Sequence, residues 1–375
     1  MRKQVFDMKE LKAAIFTGTR PEMIKMQPVI EEILRRKSIR LTFIHTQQHY
    51  SFNMSTLFIK ELELPEPSFF LDVKSGSQGF QTAKIISRSE RLIKKERPDV
   101  VLVEGDTNSA LGVALAASKL KIPIGHVEAG CRSFDKNMPE EINRVLIADL
   151  ASAHFAPTRT CVSNLLKEGI SREKIFLTGH PIVDVLHQFR QRIGHSATRR
   201  LGLEPREYYL ATVHREENVE SKEALEGIVE SLSVLSRSRS VVFPIHPHTL
   251  KFIKRFKLEK YLKSLVATEP VGYLDALDLI SHSKVVLTDS GGIQQEAALL
   301  GTPCITLRKN TEWTETIECG VNFLASGKEE ITRTVEGLEC EYGEILGRFK
   351  LARKIFGKFG VSRRIVDILE HLFVM

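Results

Sequence analysis

Residues 100–109 read Val-Val-Leu-Val-Glu-Gly-Asp-Thr-Asn-Ser, and this stretch indicates the fold class. Four consecutive apolar residues are typical of a parallel strand that is buried on both faces. The Ala- and Leu-rich residues 110–120 predict a helix, and Thr107 or Asn108 suits its N-cap. A buried strand, a short polar turn and a helix form the repeating unit of a doubly wound α/β sheet. Asp106 is then expected at the carboxyl end of a strand, where such sheets bind ligands. Its alternative role is to stabilise the helix dipole.

The same unit recurs along the chain. Further strands are predicted by apolar runs at 13–17, 41–46, 122–127, 208–213, 241–245, 284–287 and 304–307. Helical patterns follow most of them. Between 185 and 205 the pattern changes to a polar segment rich in Arg, Gly and Ser, which is typical of a domain link. We therefore expect an N-terminal Rossmann-like domain over 1–185 and a C-terminal one over 186–375.

The composition excludes several classes of protein. The 375 residues are 42% hydrophobic and 27% charged, as in an ordinary globular protein long enough for two or three domains. The net charge of +7 comes from dispersed basic residues, so it permits an anionic ligand without indicating nucleic acid. The five cysteines lack a metal-binding spacing and are typical of reduced intracellular thiols. Residues 1–12 lack the apolar core of a signal peptide, and no run approaches a spanning helix. We therefore expect a soluble, cytoplasmic protein without a membrane partner.

A second charged stretch, at residues 126–144, reads His-Val-Glu-Ala-Gly-Cys-Arg-Ser-Phe-Asp-Lys-Asn-Met-Pro-Glu-Glu-Ile-Asn-Arg. Glu128 follows directly on a predicted strand. Pro139 suits the first position of a helix, so Glu140 and Arg144 would share one face of that helix at i and i+4. The two glutamates could therefore converge on one substrate. The alternative is a solvated loop with a surface ion pair.

Two turns are candidate phosphate sites. At 18–22 (Gly-Thr-Arg-Pro-Glu), glycine allows a close backbone approach and the helix start favours an anion. Arg20 and Lys25 would add charge there, although a solvated first turn is the alternative. At 290–292 (Ser-Gly-Gly), a strand passes through a glycine turn into a helix, whose N–H groups can hold a diphosphate. Glu296, one turn further, could accept from sugar hydroxyls. Neither turn has a P-loop or GxGxxG pattern, so bound NAD is not expected.

Histidines follow two predicted strands of the C-terminal half. His214 follows one strand, and His246 and His248 follow another. A histidine at such a position is more often structural than catalytic. Two histidines two residues apart could hold a metal, but no third ligand has a sensible spacing, so we expect none.

Seven motifs together resemble the non-hydrolysing UDP-N-acetylglucosamine (UDP-GlcNAc) 2-epimerase family. They are Gly18-Thr19-Arg20-Pro21-Glu22, Gly105-Asp106-Thr107, His126-Val127-Glu128-Ala129-Gly130, Pro139-Glu140-Glu141-Ile142-Asn143-Arg144, His214-Arg215, Asp289-Ser290-Gly291-Gly292 and Thr311-Glu312. The resemblance implies a GT-B type α/β architecture, in which two Rossmann-like domains with parallel sheets face a central cleft. It implies that the last helix packs back on the N-terminal domain, and that the protein is a homodimer without a redox cofactor.

The resemblance also implies a reaction. The family interconverts UDP-GlcNAc and UDP-ManNAc by anti-elimination of UDP with loss of the C2 proton, through 2-acetamidoglucal, followed by re-addition of UDP. Removing that proton needs a positioned base, and the departing diphosphate needs stabilisation. The motif matches assign acid/base work to Asp106, Glu128 and Glu140, without deciding which takes the proton, and assistance of the leaving phosphate to His214. The residues expected to bind the UDP-sugar are Arg20, Lys25, Arg144, His246, Ser290, Gly291, Gly292 and Glu296.

The chain departs from the family pattern at two positions. Many members have His where this chain has Glu104, and many have Arg where it has Trp313. Members with Trp there include UDP-2,3-diacetamido-glucuronic acid 2-epimerases, so this sugar is an alternative substrate. Gln48 and His49 match a region that binds a second, activating UDP-GlcNAc in bacterial members. A GT-B glycosyltransferase is the other alternative, although it would not need the three carboxylates together.

Overall fold

A computed structural model describes residues 10–48, 59–74 and 76–374. The chain divides into two compact units. The first unit comprises Met1–His187 together with Phe356–Met375, and the second comprises Gln188–Ile355. Each unit contains one parallel sheet with helices, so the predicted two-domain α/β architecture is confirmed.

The strands form one sheet in each unit. In the first unit they are β1 (Leu11–Thr17), β2 (Ile39–His45), β3 (Phe69–Phe70), β4 (Val100–Glu104), β5 (Ile124–Val127), β6 (Ala153–Ala156) and β7 (Ile175–Leu177). In the second they are β8 (Tyr208–Thr212), β9 (Ser240–Pro244), β10 (Val266–Thr268), β11 (Val285–Thr288), β12 (Cys304–Thr306) and β13 (Asn322–Leu324). The orders are β3-β2-β1-β4-β5-β6-β7 and β10-β9-β8-β11-β12-β13.

Helices connect these strands. They are α1 (Arg20–Leu34), α2 (Gln78–Glu96), α3 (Asn108–Lys119), α4 (Pro139–Leu150), α5 (Arg159–Lys167), α6 (Ile182–Phe189), α7 (Ser196–Arg200), α8 (Glu216–Val219), α9 (Lys222–Leu235), α10 (Pro247–Arg255), α11 (Tyr273–His282), α12 (Gly291–Leu300), α13 (Thr314–Glu318), α14 (Lys328–Cys340), α15 (Tyr342–Ala352) and α16 (Val361–Phe373). Across the described residues, no helix combines the length and apolar content needed to span a membrane.

The strand order gives each sheet a topological switch point. In the first sheet β1 lies beside β4, with β2 and β3 on one side and β5 to β7 on the other. In the second sheet β8 and β11 have the corresponding places. Strands β4 and β11 are buried along their whole length, as expected for parallel strands inside a doubly wound sheet. Ligands of such sheets bind at the carboxyl ends of the strands beside the switch point.

Local sequence signals position the helices beside these strand ends. Thr107 is the N-cap of α3, because its Oγ1 accepts a hydrogen bond from the Ala110 amide at 3.1 Å. Pro139 begins α4, as its fixed φ angle favours. A Cβ at Gly112 would lie 2.7 Å from Ile85 Cγ2, so this glycine lets α3 approach α2 closely.

The C-terminal helix α16 lies in the first unit. Its N-terminus is held by Asp184, whose carboxylate accepts from the amides of Gly360, Val361 and Ser362 at 2.8, 3.2 and 2.7 Å. Arg36, just after α1, also forms ion pairs with two acidic residues of α16. A backbone anchor and a charged contact therefore fix α16 beside α1.

Candidate active site

The candidate site of the first unit lies at the carboxyl ends of its strands. Lys25 is in α1, which follows β1, and Glu104 is the last residue of β4. Glu128 follows β5 directly, and His180 lies just beyond β7. The parallel strand order places these ends at one edge of the sheet, where the four side chains meet in one chain of contacts.

Lys25 lies between two glutamates. Its Nζ is 2.9 Å from Glu104 Oε1 and 2.6 Å from Glu128 Oε2. The three side chains are 12%, 2% and 8% exposed, so salt and water screen these pairs weakly. The sequence pattern predicts Lys25 at a phosphate, and in the structure its ammonium contacts two carboxylates of its own unit.

The two glutamates are driven toward opposite protonation states. Burial alone would raise the pKa of Glu128, but the charge of Lys25 and the hydrogen bond from His180 hold this pKa well below its usual range. Burial raises the pKa of Glu104 well above its usual range, and Lys25 offsets only part of that effect. Glu128 is therefore the carboxylate that is ionised at neutral pH.

His180 is a site residue that the sequence analysis missed. Its Nδ1 accepts a hydrogen bond from the Ile182 amide at 3.1 Å, so the ring proton is on Nε2. This Nε2 donates to Glu128 Oε2 at 2.5 Å. Lys25 also donates to Oε2, so neither hydrogen bond engages Glu128 Oε1. The only signal in the sequence was that a histidine follows another short strand.

The backbone of Glu128 is also constrained. Its φ is 66°, in the left-handed region that residues other than glycine rarely adopt. Such a conformation persists only where the surrounding structure fixes it, and it often marks a functional site. The main chain and both donors to Oε2 therefore determine where this carboxylate points.

Asp106 and Arg144 form a second charged contact in the first unit. Arg144 Nε and Nη2 lie 2.8 and 2.6 Å from Asp106 Oδ2. Arg144 Nη1 donates to Glu141 Oε2 at 2.8 Å. The family motif predicts Arg144 at the phosphates, and in this structure its guanidinium is paired with two carboxylates. Arg144 thus fixes the orientation of Asp106.

Glu141 organises the loop before α4, a role that the sequence analysis did not predict. Its carboxylate accepts from the amides of Ser133 and Phe134 at 2.9 and 3.0 Å, in addition to the bond from Arg144. Its neighbour Glu140 is half-buried, and its carboxylate makes no hydrogen bond or ion pair with the part of the chain that the structure describes. Of these adjacent glutamates, Glu141 is committed to the fold and Glu140 is available for chemistry.

A side chain of α1 occupies the first turn of that helix, one of the expected phosphate sites. Glu22 Oε2 accepts from the amides of Gly18 and Thr19 at 2.8 and 2.7 Å, and Thr107 Oγ1 donates to Oε1 at 2.8 Å. Burial raises the pKa of Glu22 to about 6 despite these bonds. A Cβ at Gly18 would lie 1.9 Å from Ser109 Oγ, so packing against α3 explains this glycine.

Two further expected contacts lie near this turn. Arg20 is the first residue of α1 and is half-buried. Gln48 is buried, and its Oε1 accepts from the amide and the hydroxyl of Ser109 at 2.9 and 2.7 Å. His49 lies outside the described residues. The structure thus gives Gln48 a packing role next to the turn.

In the second unit, Asp289 holds His214 in place. Asp289 follows β11 and is completely buried. The distance from its Oδ1 to His214 Nδ1 is 2.9 Å. It also accepts from the amides of His214 and Arg215 and from Asn218 Nδ2, at 3.0 to 3.1 Å. Because Nδ1 faces Asp289, the Nε2 side of the ring is available, and the side chain is 46% exposed.

The Asp289 charge also sets the protonation of His214. The partial desolvation of His214 alone would lower its pKa, but the charge of Asp289 outweighs this effect and raises the pKa. Burial alone would raise the pKa of Asp289, yet His214 and several hydrogen bonds hold it at about 2. His214 therefore carries a proton over more of the neutral pH range than an ordinary histidine.

The Ser-Gly-Gly turn opens α12, as the sequence predicted. Ser290 is the N-cap and Gly291 is the first helical residue. A Cβ at Gly291 would lie 2.3 Å from Glu312 Oε1, so a larger residue there would force the Glu312 carboxylate to move. Glu312 is itself paired with Arg308 at 2.9 Å. A Cβ at Gly292 would meet only Ser290 Oγ among the described residues, at 3.9 Å, so this side of the turn is open.

Other expected substrate residues lie around this turn. Glu296 is on α12, one turn after Gly292, and is buried. Trp313 is buried, and its Nε1 lies 3.5 Å from the position of a Cβ at Gly291, so the indole packs beneath the turn. His246 is the exposed N-cap of α10, with its ring centroid 6.5 Å from that of His214.

In the part of the chain that the structure describes, two clusters have the residue types of a metal site. They are Glu104 with Glu128 and His180, and His195 with Asp278 and His282. In the first cluster the cation is already supplied by Lys25. In the second, Asp278 already accepts two backbone N–H groups at the start of α7 and side-chain bonds from Thr198 and His282. Hydrogen bonding within the protein therefore accounts for both clusters.

These features define a class of protein. Both units are doubly wound sheets, and both present charged and histidine side chains at strand ends beside the switch point. That arrangement is typical of a two-domain α/β enzyme with Rossmann-like sheets.

The comparison with known proteins then identifies the family. The sequence model of the UDP-N-acetylglucosamine 2-epimerase family matches residues 31–370, so the chain belongs to this family. It is 45% identical over 371 residues to a UDP-N-acetylglucosamine 2-epimerase of Methanocaldococcus jannaschii, covering 96% of this chain and 99% of that protein. It is 39% identical over 366 residues to a UDP-2,3-diacetamido-2,3-dideoxy-D-glucuronate 2-epimerase of Pseudomonas aeruginosa, covering 96% and 100%.

A solved structure supports the same assignment. The crystal structure of the M. jannaschii UDP-GlcNAc 2-epimerase in complex with UDP-GlcNAc and UDP matches with a TM-score of 0.87 and 43% identity. The match covers 96% of this chain and 100% of that one. The predicted fold class and family are therefore confirmed.

Proposed function

We propose that this protein is a non-hydrolysing UDP-sugar 2-epimerase that interconverts UDP-GlcNAc and UDP-ManNAc. The observation that carries this proposal is the buried carboxylate of Glu128, which Lys25 and His180 keep ionised and oriented through one oxygen. The M. jannaschii relative, which is bound to UDP-GlcNAc and UDP in its crystal structure, supports the choice of substrate.

The proton step is assigned to two carboxylates of the first unit. Glu128 accepts the C2 proton through Oε1 as the C1–O bond breaks and UDP departs, which gives 2-acetamidoglucal. The carboxyl group of Glu140, which has no partner among the described residues, delivers a proton to the opposite face of C2 when UDP returns. Proton exchange with solvent then removes the proton from Glu128 and restores that of Glu140. Asp106 is held by Arg144 at the same strand ends and hydrogen-bonds the sugar. A positioned base of this kind contributes about 10²- to 10⁴-fold to the rate.

The leaving diphosphate is assigned to the second unit. His214, which Asp289 keeps protonated, donates through Nε2 to the departing phosphate. The amides of the turn at 290–292 bind the diphosphate at the start of α12, where helix dipole and N–H groups favour an anion. Glu296 accepts from the ribose, and His246 lies beside His214 to contact the same group. The guanidinium of Arg20 is also assigned to the diphosphate.

This proposal is tested by supplying the sugars directly. Incubation with UDP-GlcNAc, followed by proton NMR of the anomeric region, should show UDP-ManNAc approaching a fixed ratio from either side. UDP-2,3-diacetamido-glucuronate should be run in parallel, because a 39% identical relative is named for that sugar. If the protein prefers the uronate, its substrate is UDP-2,3-diacetamido-glucuronate and not UDP-GlcNAc. A UDP-sugar that binds but is transferred only when an acceptor is added would indicate a glycosyltransferase instead.

We further propose a homodimer formed through α4. Ile142, Val145 and Leu146, at i, i+3 and i+4, expose 49%, 45% and 45% of their surfaces and form an apolar stripe. Beside this stripe, residues of α2 and α4 line a cavity of about 400 Å³. A second copy covering the stripe would bury this surface. Light scattering should give twice the chain mass for the parent and the chain mass for Leu146→Glu, and a monomeric parent would refute the interface.

A regulatory site is proposed near Gln48 and His49, where a second UDP-GlcNAc would act as an activator. The resemblance to bacterial members supports this proposal, and Gln48 contacts the backbone of the turn before α1. Activation predicts a sigmoidal dependence of rate on UDP-GlcNAc and slow conversion of UDP-ManNAc until UDP-GlcNAc is added. A hyperbolic dependence of the rate on UDP-GlcNAc would refute the proposed activating site.

A further inference from the structure

Three buried glutamates of the first unit lie close enough to influence one another, and one ammonium group contacts two of them. Glu22, Glu104 and Glu128 are almost completely buried, and Lys25 is the cation that contacts two of them. One positive charge cannot neutralise three negative charges in a medium that screens them weakly. A buried carboxylate without a counter-charge takes up a proton. At least one of the three glutamates is therefore expected to be an uncharged acid at neutral pH.

The hydrogen-bond donors around each carboxylate show which one holds that proton. Glu22 accepts from two amides and from the hydroxyl of Thr107. Glu128 accepts from Lys25 and from His180. Within the described residues, Glu104 has the single contact with Lys25. Each donor favours the ionised form of the group it contacts, so Glu104 is the least favourable place for a negative charge.

We propose that Glu104 is a positioning residue for Glu128 and that it acts as an uncharged carboxylic acid, which holds Lys25 in place without neutralising it. The full charge of Lys25 is then directed at Glu128. This inference rests on the proposed function, because that function assigns the C2 proton transfer to Glu128.

The arrangement has a consequence for pH dependence. The ionisable groups that face Glu104 are Lys25 and Glu22 from α1 and Glu128 from the end of β5, with His180 behind Glu128. Loss of the Glu104 proton would add a negative charge beside Glu128 and draw Lys25 away from it. Turnover should therefore fall on the alkaline side of its optimum as Glu104 ionises.

The neutral isostere Glu104→Gln provides the kinetic test. It keeps the shape and the contact with Lys25 but cannot ionise, so its kcat should stay within about threefold of the parent. The part of the alkaline fall that is due to Glu104 should disappear, and the part that is due to His214 should remain. Glu104→Leu removes the contact and should lower kcat by about 10²-fold, as expected when a base is no longer held in place. A loss of activity in Glu104→Gln as large as that in Glu128→Gln would overturn the proposal, because Glu104 would then be needed as a charge.

Infrared spectroscopy gives a readout that does not depend on catalysis. A protonated carboxyl absorbs apart from the amide band and from ionised carboxylates, so the difference between the parent and Glu104→Gln at neutral pH should contain one protonated carboxyl. The difference between the parent and Glu128→Gln should contain an ionised carboxylate. If the difference spectrum between the parent and Glu104→Gln contains an ionised carboxylate instead, the inference is refuted, even if the protein is an epimerase.

The two experiments also separate this inference from the proposed function. A protein that shows the protonated band but epimerises no UDP-sugar would contradict the proposed function and leave the charge assignment intact. If Glu104→Gln does not fold, a pH titration of the parent decides the question. A protonated-carboxyl band that persists well above neutral pH would support the inference, and its complete loss by neutral pH would overturn it.

Discussion

Replacing Lys25 with Met should destabilise the first unit strongly. The substitution keeps most of the apolar stem but leaves Glu104 and Glu128 buried without the ammonium that lies 2.9 and 2.6 Å from them. Removing one partner of a buried ion pair typically costs about 3–5 kcal/mol. A domain has only about 5–15 kcal/mol of stability in total, so the loss would be a large fraction. We expect a value near the lower end, because His180 still donates to Glu128.

The loss of stability in Lys25→Met should be smaller at acid pH than at neutral pH. In the parent, the depressed pKa of Glu128 contributes stability above the unfolded-state value of about 4.3, and that contribution is lost as pH falls. Without Lys25 the buried carboxylate of Glu128 takes up a proton more readily, so the stability deficit of Lys25→Met relative to the parent should shrink as the pH is lowered toward that value.

Urea unfolding followed by two signals measures the effect. Far-UV circular dichroism reports on both units, while Trp313, the single tryptophan, lies in the second unit and serves as an internal reference. Lys94→Met is the matched control, since Lys94 and Glu90 are 60% and 40% exposed and such a pair contributes only about 0.2–1 kcal/mol. A deficit of less than about 1 kcal/mol for Lys25→Met at neutral pH, or one that does not shrink at acid pH, would refute the charge assignment of the cluster.

Three other substitutions test the remaining parts of the site. Glu128→Gln should lower kcat by about 10²- to 10⁴-fold while calorimetry shows unchanged UDP affinity; equal losses of turnover and UDP binding would argue against a role in proton transfer. Asp289→Asn removes the charge that raises the pKa of His214, so the fall of kcat with rising pH should move to lower pH, and an unmoved profile would mean that His214 does not act as a protonated donor. Gly291→Ala would place its Cβ 2.3 Å from Glu312 Oε1 and should destabilise the second unit by about 1–3 kcal/mol, measured through Trp313 fluorescence. Gly292→Ala is its control, because the nearest atom would be 3.9 Å away, and equal effects of the two would contradict the packing argument.

The sequence was sufficient to predict the fold and the strand ends that carry the site. Apolar runs that end in polar residues placed Glu128, His214 and Ser290 at the ends of parallel strands, and the structure places all three there. The N-cap of α3 and the start of α4 at Pro139 followed from local chemistry. These features depend on residues that are adjacent in the chain, so a single sequence reveals them.

The partners of the charged groups could not be predicted in the same way. Lys25 is predicted at a phosphate by its glycine turn and Arg144 by its motif, and the structure adds contacts with carboxylates distant in sequence, Glu104 and Asp106 respectively. His180 was missed because its contact with Glu128 spans 52 residues. Glu141 was passed over in favour of Glu140, since the two have the same chemistry and only the fold of the preceding loop distinguishes them. Such long-range pairings depend on the folded chain.

Deuterium incorporation at C2 is the most direct test of the central claim, which is that the protein removes and returns the C2 proton of a UDP-sugar. UDP-GlcNAc should be incubated with the protein in D2O and followed by proton NMR until the two epimers reach a constant ratio. The account predicts that C2 becomes deuterated in both UDP-GlcNAc and UDP-ManNAc, and that Glu128→Gln slows this exchange with epimerisation. Formation of UDP-ManNAc that keeps its C2 proton would contradict the account.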